Sequence, residues 1–202
     1  MPGIRVVKVG GSLFDWPLLP LALDAWLNEQ PSATNVLIAG GGNLVESIRQ
    51  ASQVFSLDDE TAHWLCIEAM SIQARLLGSL LVDVSLVASY GALQTATQAG
   101  SCNRIVFDAI KFLREQEFRL PGHALPHDWS VTSDSIAARL AEVFAADELV
   151  LLKSADSPSE TTAVLVNAGF VDRHFPSFDR CCFRRRFVNL RQVAKCPAEV
   201  EI

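Results

Sequence analysis

The sequence has no apolar run near the roughly 18 residues that a membrane span requires. Its first residues pass straight into Ile4-Arg5-Val6-Val7-Lys8, without the apolar stretch of an export signal. Both gaps lead to the expectation of a soluble cytoplasmic protein with no membrane partner. Cysteine offers no framework either. Five are present, Cys66, Cys102, Cys181, Cys182 and Cys196, and no two form a CxxC pair, so neither a disulfide scaffold nor a zinc site is signalled. Most are expected to be buried, inert thiols. The four histidines include no HExxH arrangement, and the close pair His123 and His127 sits in a stretch rich in Pro and Gly. No metal ligand set is expected. Positive charge is short as well, with 17 Lys and Arg against 23 Asp and Glu for a net charge of -6, so nucleic acid is excluded as a general partner. Two phosphate-binding signatures are missing too: GxxxxGK[ST] does not occur, and Gly40, Gly42 and Val45 lack the third glycine of GxGxxG. A Walker-type ATPase and a standard dinucleotide-dependent dehydrogenase are thereby set aside.

What is present is a chain of 202 residues, half apolar and a fifth charged, which suits one well-buried domain over residues 1–190 followed by a tail at 191–202. Short runs of Val, Ile and Leu alternate with amphipathic segments, the pattern of βα units around a parallel sheet covered on both faces. Strands are predicted at 4–9, 35–39, 82–88, 103–107, 148–152 and 183–190. Helices are predicted at 18–27, after Gly42, over 58–81 and from Thr132 or Ser133 onward. The long third segment places Leu65, Ala69, Ile72, Leu76, Leu77 and Leu80 on a helical period and is expected to be a core helix. Residues 120–130, with Pro121, Gly122 and Pro126, read as a loop.

Two of the strands end in glycine: Lys8-Val9-Gly10-Gly11-Ser12 and Ala39-Gly40-Gly41-Gly42-Asn43. In an open parallel sheet the carboxyl ends of strands line the ligand crevice, so both turns are expected to face one site. Glycine lets backbone N–H groups approach anionic oxygens, and helix N-termini add further donors and partial positive charge. Lys8 adds a full charge at that edge, and Asp134 follows a capping Thr or Ser in the first turn of a helix. Taken singly, each also has a plain reading as a tight turn, a solvated lysine or a first-turn acid. Lys8 and Asp134 are expected at a solvent-facing edge.

These two segments and Thr132-Ser133-Asp134-Ser135-Ile136-Ala137-Ala138 stand in the order found in the amino acid kinase family, and the chain resembles that family over residues 4–172. The family includes aspartate, acetylglutamate, glutamate 5- and uridylate kinases. The resemblance implies a three-layer αβα sandwich around a mainly parallel open sheet, and an ATP-dependent kinase using Mg²⁺ and a small-molecule acceptor, working as a homo-oligomer. It implies that Lys8 neutralises the transferring phosphoryl group and that Gly10, Gly11 and Ser12 hold ATP phosphates. Gly40, Gly41, Gly42 and Asn43 would hold the acceptor, with Thr132, Ser133 and Trp129, and Asp134 would orient the lysines. Lys153 would be catalytic with Lys8 and Asp134 and, with Asp156, would bind the nucleotide. There the chain departs from the family: Leu151-Leu152-Lys153-Ser154-Ala155-Asp156-Ser157-Pro158 stands in place of a D-V-D-G-like run, and the chain is short, so a reduced nucleoside pocket is expected.

Thr61-Ala62-His63-Trp64, Glu68-Ala69-Met70, the stretch Leu125-Pro126-His127-Asp128-Trp129-Ser130-Val131 and Gly169-Phe170-Val171-Asp172 resemble a compact branch of the family linked to methanofuran-dependent one-carbon metabolism. Its characterised type phosphorylates an aminomethyl-furan methyl phosphate to the diphosphate. In that reading Trp129 stacks on the ring and Asp128 accepts its ammonium, while His63 and Trp64 are either substrate contacts or a core pair. An amino-acid acceptor would need an arginine for its α-carboxylate, for which the mid-chain loop offers Arg119. The alternative on the same fold is a non-catalytic nucleotide- or anion-binding protein with a storage or regulatory role. The run Arg184-Arg185-Arg186 alternates with Phe on a strand and reads as a solvated face or edge protection.

Overall fold

The computed structural model describes residues 3–99 and 103–193. In chain order the elements are β1 (Gly3–Val9), α1 (Leu19–Glu29), β2 (Ala33–Ala39), α2 (Gly42–Phe55), α3 (Asp59–Leu80), β3 (Ser85–Val87) and α4 (Tyr90–Ala99). They continue with β4 (Arg104–Phe107), α5 (Ile110–Glu115), α6 (Ser133–Val143), β5 (Glu148–Lys153), α7 (Thr162–Asn167), β6 (Arg184–Asn189) and α8 (Leu190–Val193). The six strands form one sheet in the order β3-β4-β2-β1-β5-β6, and every pairing among them is parallel.

Period two along the strands builds two cores. Val6, Ile38, Ile105, Phe107, Leu149 and Leu151 point to the face packed by α6 and α5, where Ile136, Leu140 and Phe112 are buried. Val7, Val9, Leu37, Val106, Val150 and Leu152 point the other way, against Leu23, Trp26 and Leu27 of α1. The result is the three-layer αβα sandwich expected. Local signals place the helix ends: Pro20 opens α1, and the Asp58 carboxylate accepts the Thr61 amide at 2.8 Å to cap α3. The open sheet leaves β6 as an edge, where the arginine run lies. There Arg184 and Arg186 both reach the buried Glu148, at 2.8 and 3.2 Å, and Arg185 pairs with Asp179.

Three expectations need correction. The α3 stripe was assigned to the wrong face: Ala69 and Leu77 are buried, but Leu65, Ile72, Leu76 and Leu80 are 38–56% exposed, and the core is filled instead by Ile67, Met70 and Ala74. The helix is apolar on two sides, and a 3.6-residue period does not say which side turns inward. The segments at 90–99 and 110–115, for which no helix was predicted, form α4 and α5; each is short and buries few side chains, Leu93 in the first and Phe112 and Leu113 in the second. The tail begins as α8, whose Arg191 bonds Asp15 at 2.7 Å, while residues 194–202 lie outside the described residues. So do Cys102 and Cys196. Cys66 and Cys181 are half-buried, and Cys182 is exposed rather than buried. Among the described residues no helix is long and apolar enough to cross a membrane.

Candidate active site

Strand periodicity brings the three charged residues together. Lys8 follows Val6 on the α6 side of β1, and Lys153 follows Leu149 and Leu151 on the same side of β5, the next strand. Both lysines meet Asp134 at the start of α6: Lys8 Nζ lies 2.9 Å from one carboxylate oxygen and Lys153 Nζ 2.7 Å from the other. Lys153 also donates to the Phe170 carbonyl at 2.6 Å. The expected solvent-facing edge is a correction, because Lys8 and Asp134 are only 5% and 4% exposed. Burial works to raise the Asp134 carboxyl, but the charges of Lys8 and Lys153 outweigh it and hold it below the usual carboxylate range. Lys153 is pushed down to about 8 by burial and by Lys8, against the pull of Asp134. The cluster carries one net positive charge, from which all bulk water is nearly excluded, a setting suited to holding a developing anion.

The glycines bring the two turns into contact beside this cluster. A Cβ on Gly11 would lie 2.4 Å from the Gly42 nitrogen, one on Gly40 would lie 2.7 Å from the Gly11 nitrogen, and one on Gly10 would lie 2.7 Å from the Leu152 carbonyl. Gly42 takes φ +56°, the left-handed region, so it needs glycine on conformational grounds as well. α2 starts at Gly42, and its N-cap Gly41 provides no side-chain cap, leaving the helix start open to a ligand. α6 differs. Its amides are already engaged, with Asp172 accepting from the Thr132 and Ser135 amides at 2.9 and 3.0 Å and from the Thr132 hydroxyl at 2.8 Å. In the glycine turns the Gly10 and Gly40 amides are likewise taken, donating to the Leu152 and Val9 carbonyls at 2.9 Å each, so the candidate anion-binding donors are the amides of Gly11, Gly41 and Gly42.

A cavity of about 230 Å³ opens from the glycine turns between α2, α3 and the 120–132 loop. Gly11, Gly41 and Gly42 form one end, so both glycine turns border the cavity. Trp129, Asp128, Thr132 and Ser133 line it. His63 lines it too, stacked on His127 with ring centroids 4.8 Å apart, and burial pushes its imidazole down to about 4, so it is neutral at pH 7. Its neighbour Trp64 turns away from the cavity and donates to Glu60 at 3.1 Å. Cys66 lines the wall with its thiol pushed up to about 11 by burial, which leaves it protonated and unreactive.

Several expected site residues stand elsewhere. Asn43 is exposed on α2 and outside the cavity wall, and Arg119 stacks over Phe118 at 5.1 Å instead of facing the site. Asp156 is held by Asn189 and Gln192 at 3.1 and 2.6 Å, away from the lysines. Ser12 bonds Ser154 across the two strand ends at 2.8 Å. The cation that does reach the cavity, Arg49, was missed; its spacing of i+7 from Gly42 on one helix face was the available signal. His123, Glu142 and Cys181 also come together, but Arg139 already neutralises Glu142 at 2.6 Å, so the group reads as a structural network.

The model of the amino acid kinase family matches residues 3–157, ending within the segment where the motif departs. Over 154 residues the chain is 24% identical to the [5-(aminomethyl)furan-3-yl]methyl phosphate kinase of Methanocaldococcus jannaschii, covering 76% of this chain and 67% of that one. Among solved structures, uridylate kinase from Archaeoglobus fulgidus superposes with a TM-score of 0.63 at 14% identity, covering 96% of both chains. UMP kinase from Ureaplasma parvum gives 0.66 at 13%, covering 95% of this chain and 91% of that one. Against these two neighbours the chain is little shortened.

Proposed function

The chain belongs to the amino acid kinase family, and we propose that it moves the γ-phosphoryl group of ATP onto a small one-ring phosphomonoester, giving a diphosphate. The observation that carries this is the convergence of Lys8 and Lys153 on Asp134 beside two glycine turns packed too closely for any side chain. In the transfer, the bond from the γ-phosphorus to the ADP oxygen breaks as a bond to an acceptor oxygen forms, and ADP leaves with the electron pair. Lys8 and Lys153 stabilise the charge spread over the transferring group, and Asp134 holds both ammonium groups in place. The turn at Gly10 and Gly11 faces the ATP phosphates; Gly41, Gly42 and the open start of α2 face the acceptor. Mg²⁺ would arrive with ATP and supply charge neutralisation on its phosphates, while each Asp134 oxygen lies within ion-pair distance of a lysine.

The acceptor reading rests on the cavity and on the archaeal relative's printed activity. Trp129 offers an aromatic face, Asp128 a carboxylate for an ammonium, and the volume suits a single ring better than a nucleoside. A cytoplasmic site of action goes with ATP as donor. Self-association is proposed with a second copy of this chain, through the exposed apolar side of α3.

The test offers aminomethyl-furan methyl phosphate, UMP, aspartate and acetylglutamate at equal concentration with MgATP. The proposal expects the furan phosphomonoester to be consumed first. Preference for UMP or an amino acid overturns the acceptor assignment, and ligand binding with no turnover of any acceptor favours the non-catalytic alternative.

A further inference from the structure

We infer that Arg49 is the specificity-determining residue of the cavity, the group that selects an acceptor bearing a phosphate and rejects its uncharged counterpart. The inference rests on the kinase reading for the identity of the site, but its own observations concern the cavity wall. Among the described residues lining that wall, Arg49 is the one Lys or Arg, while Glu46 and Asp128 are carboxylates. Without Arg49 the wall carries only negative charge, and a phosphate entering past it would be repelled.

Position and availability fit the role. Gly42, Val45, Glu46 and Arg49 share one face of α2, so the helix that starts at the glycine turn carries the cation about two turns along the same wall. Helical side chains lean toward the N-terminus, which directs the Arg49 stem back toward the glycine end. Its guanidinium lies 4.6 Å from the Trp129 ring centroid, stacked across the cavity mouth from α2 to the loop. Its charged partner is Glu46 at 3.4 Å, and both side chains are about half exposed, 44% and 58%. A loose pair of that kind is easily exchanged for a better one. A phosphate offers the planar fork two parallel charge-assisted hydrogen bonds, which Glu46 at that distance does not. Trp129 then serves two ligands in turn: it shelves Arg49 in the empty site and, once the guanidinium swings onto the phosphate, exposes its face to the acceptor ring.

Calorimetric titration tests this without requiring turnover. The probes are aminomethyl-furan methyl phosphate, its phosphate-free alcohol and phenyl phosphate, each added to wild type, Arg49→Gln, Arg49→Lys and Glu46→Gln. We expect Arg49→Gln to weaken both phosphomonoesters by about tenfold to a hundredfold, with little change for the alcohol. Arg49→Lys should recover part of the loss, and Glu46→Gln should tighten the phosphomonoesters by freeing the guanidinium. Urea midpoints matching wild type show that the exposed substitutions leave the fold intact. Equal binding of alcohol and phosphate to wild type, unchanged phosphate binding in Arg49→Gln, or no binding of either phosphomonoester overturns the inference. ATP turnover measured alongside separates the two readings: transfer to a phosphate-free acceptor leaves the kinase standing and removes the role of Arg49, whereas Arg49-dependent phosphate binding without transfer does the reverse.

Discussion

Asp134 sits between two buried ammonium groups, and its removal acts on stability as well as on chemistry. Truncation to alanine leaves Lys8 and Lys153 facing one another without a counter-charge, and breaking a buried pair in this way costs about 3–5 kcal/mol. Asp134→Ala should therefore lower the urea midpoint markedly, and an unchanged midpoint would contradict the buried ion triad. Asp134→Asn keeps the shape and is the better probe of catalysis; kcat should fall by about a hundredfold to a thousandfold. Lys153, pushed down to about 8, predicts an alkaline limb: kcat falls as pH rises through that value, because the neutral amine no longer stabilises the transferring group. Stability takes the opposite sign. The unfolded chain keeps this lysine protonated up to its ordinary 10.5, so unfolding takes up a proton between the two values and the folded state gains stability from this group as pH rises there. A kcat profile flat to pH 9.5 would remove Lys153 from the reaction. Lys8 and Asp134 were legible in the sequence as charged residues within motifs, Lys8 opening the first and Asp134 following the capping Thr132 and Ser133 in the third. Their burial was not, because it depends on α6 closing over the sheet. Arg49 was missed for a related reason: its i+7 spacing puts it on the helix face of Gly42, but only the loop carrying Trp129 shows that this face lines a cavity.

Among elements, the strand–glycine–helix units were the most legible, since a run of buried β-branched residues broken by glycine admits few other readings. Gly11 extends that argument to a test. A methyl group there would meet the backbone of Gly42, which cannot rotate away, so Gly11→Ala should push the two turns apart and weaken both ATP and the acceptor. A change confined to ATP would show that the turns act independently. The Gly169-Phe170-Val171-Asp172 segment stood out only as part of a resemblance, and its function emerges from the fold. Asp172 also receives the His174 and Phe175 amides, at 3.1 and 2.9 Å, and so ties the turn after α7 to the start of α6. Asp172→Ala should cost about 2–3 kcal/mol in denaturant unfolding and reduce kcat through a displaced Asp134; wild-type stability would contradict the brace. The α3 stripe shows the limit of periodicity, since a helix with apolar residues on two sides gives no internal sign of which partner lies where. α4 and α5 escaped because short helices that bury one or two side chains lack enough turns for a period to register.

At the scale of the molecule, an acidic chain places Lys8 and the partly buried Lys153 at the carboxyl edge of one parallel sheet, while its other buried cations, Arg5 and Arg139, are paired elsewhere with Glu148 and Glu117. In the proposed transfer Lys8 and Lys153 act on the phosphoryl group from two neighbouring strands, and Arg49 acts on the acceptor from the helix that follows a third. On that reading phosphate binding is built from elements far apart in sequence, in keeping with the absence of both compact phosphate signatures. The central claim is that this edge transfers a phosphoryl group from ATP to a one-ring phosphomonoester. Phosphorus NMR of MgATP with aminomethyl-furan methyl phosphate tests it most directly, run with wild type and with Asp134→Asn. The account predicts ADP and a new pair of coupled diphosphate resonances with wild type, and loss of both in the variant. Intact ATP and phosphomonoester with the folded wild-type protein, or equal conversion by the variant, would contradict it.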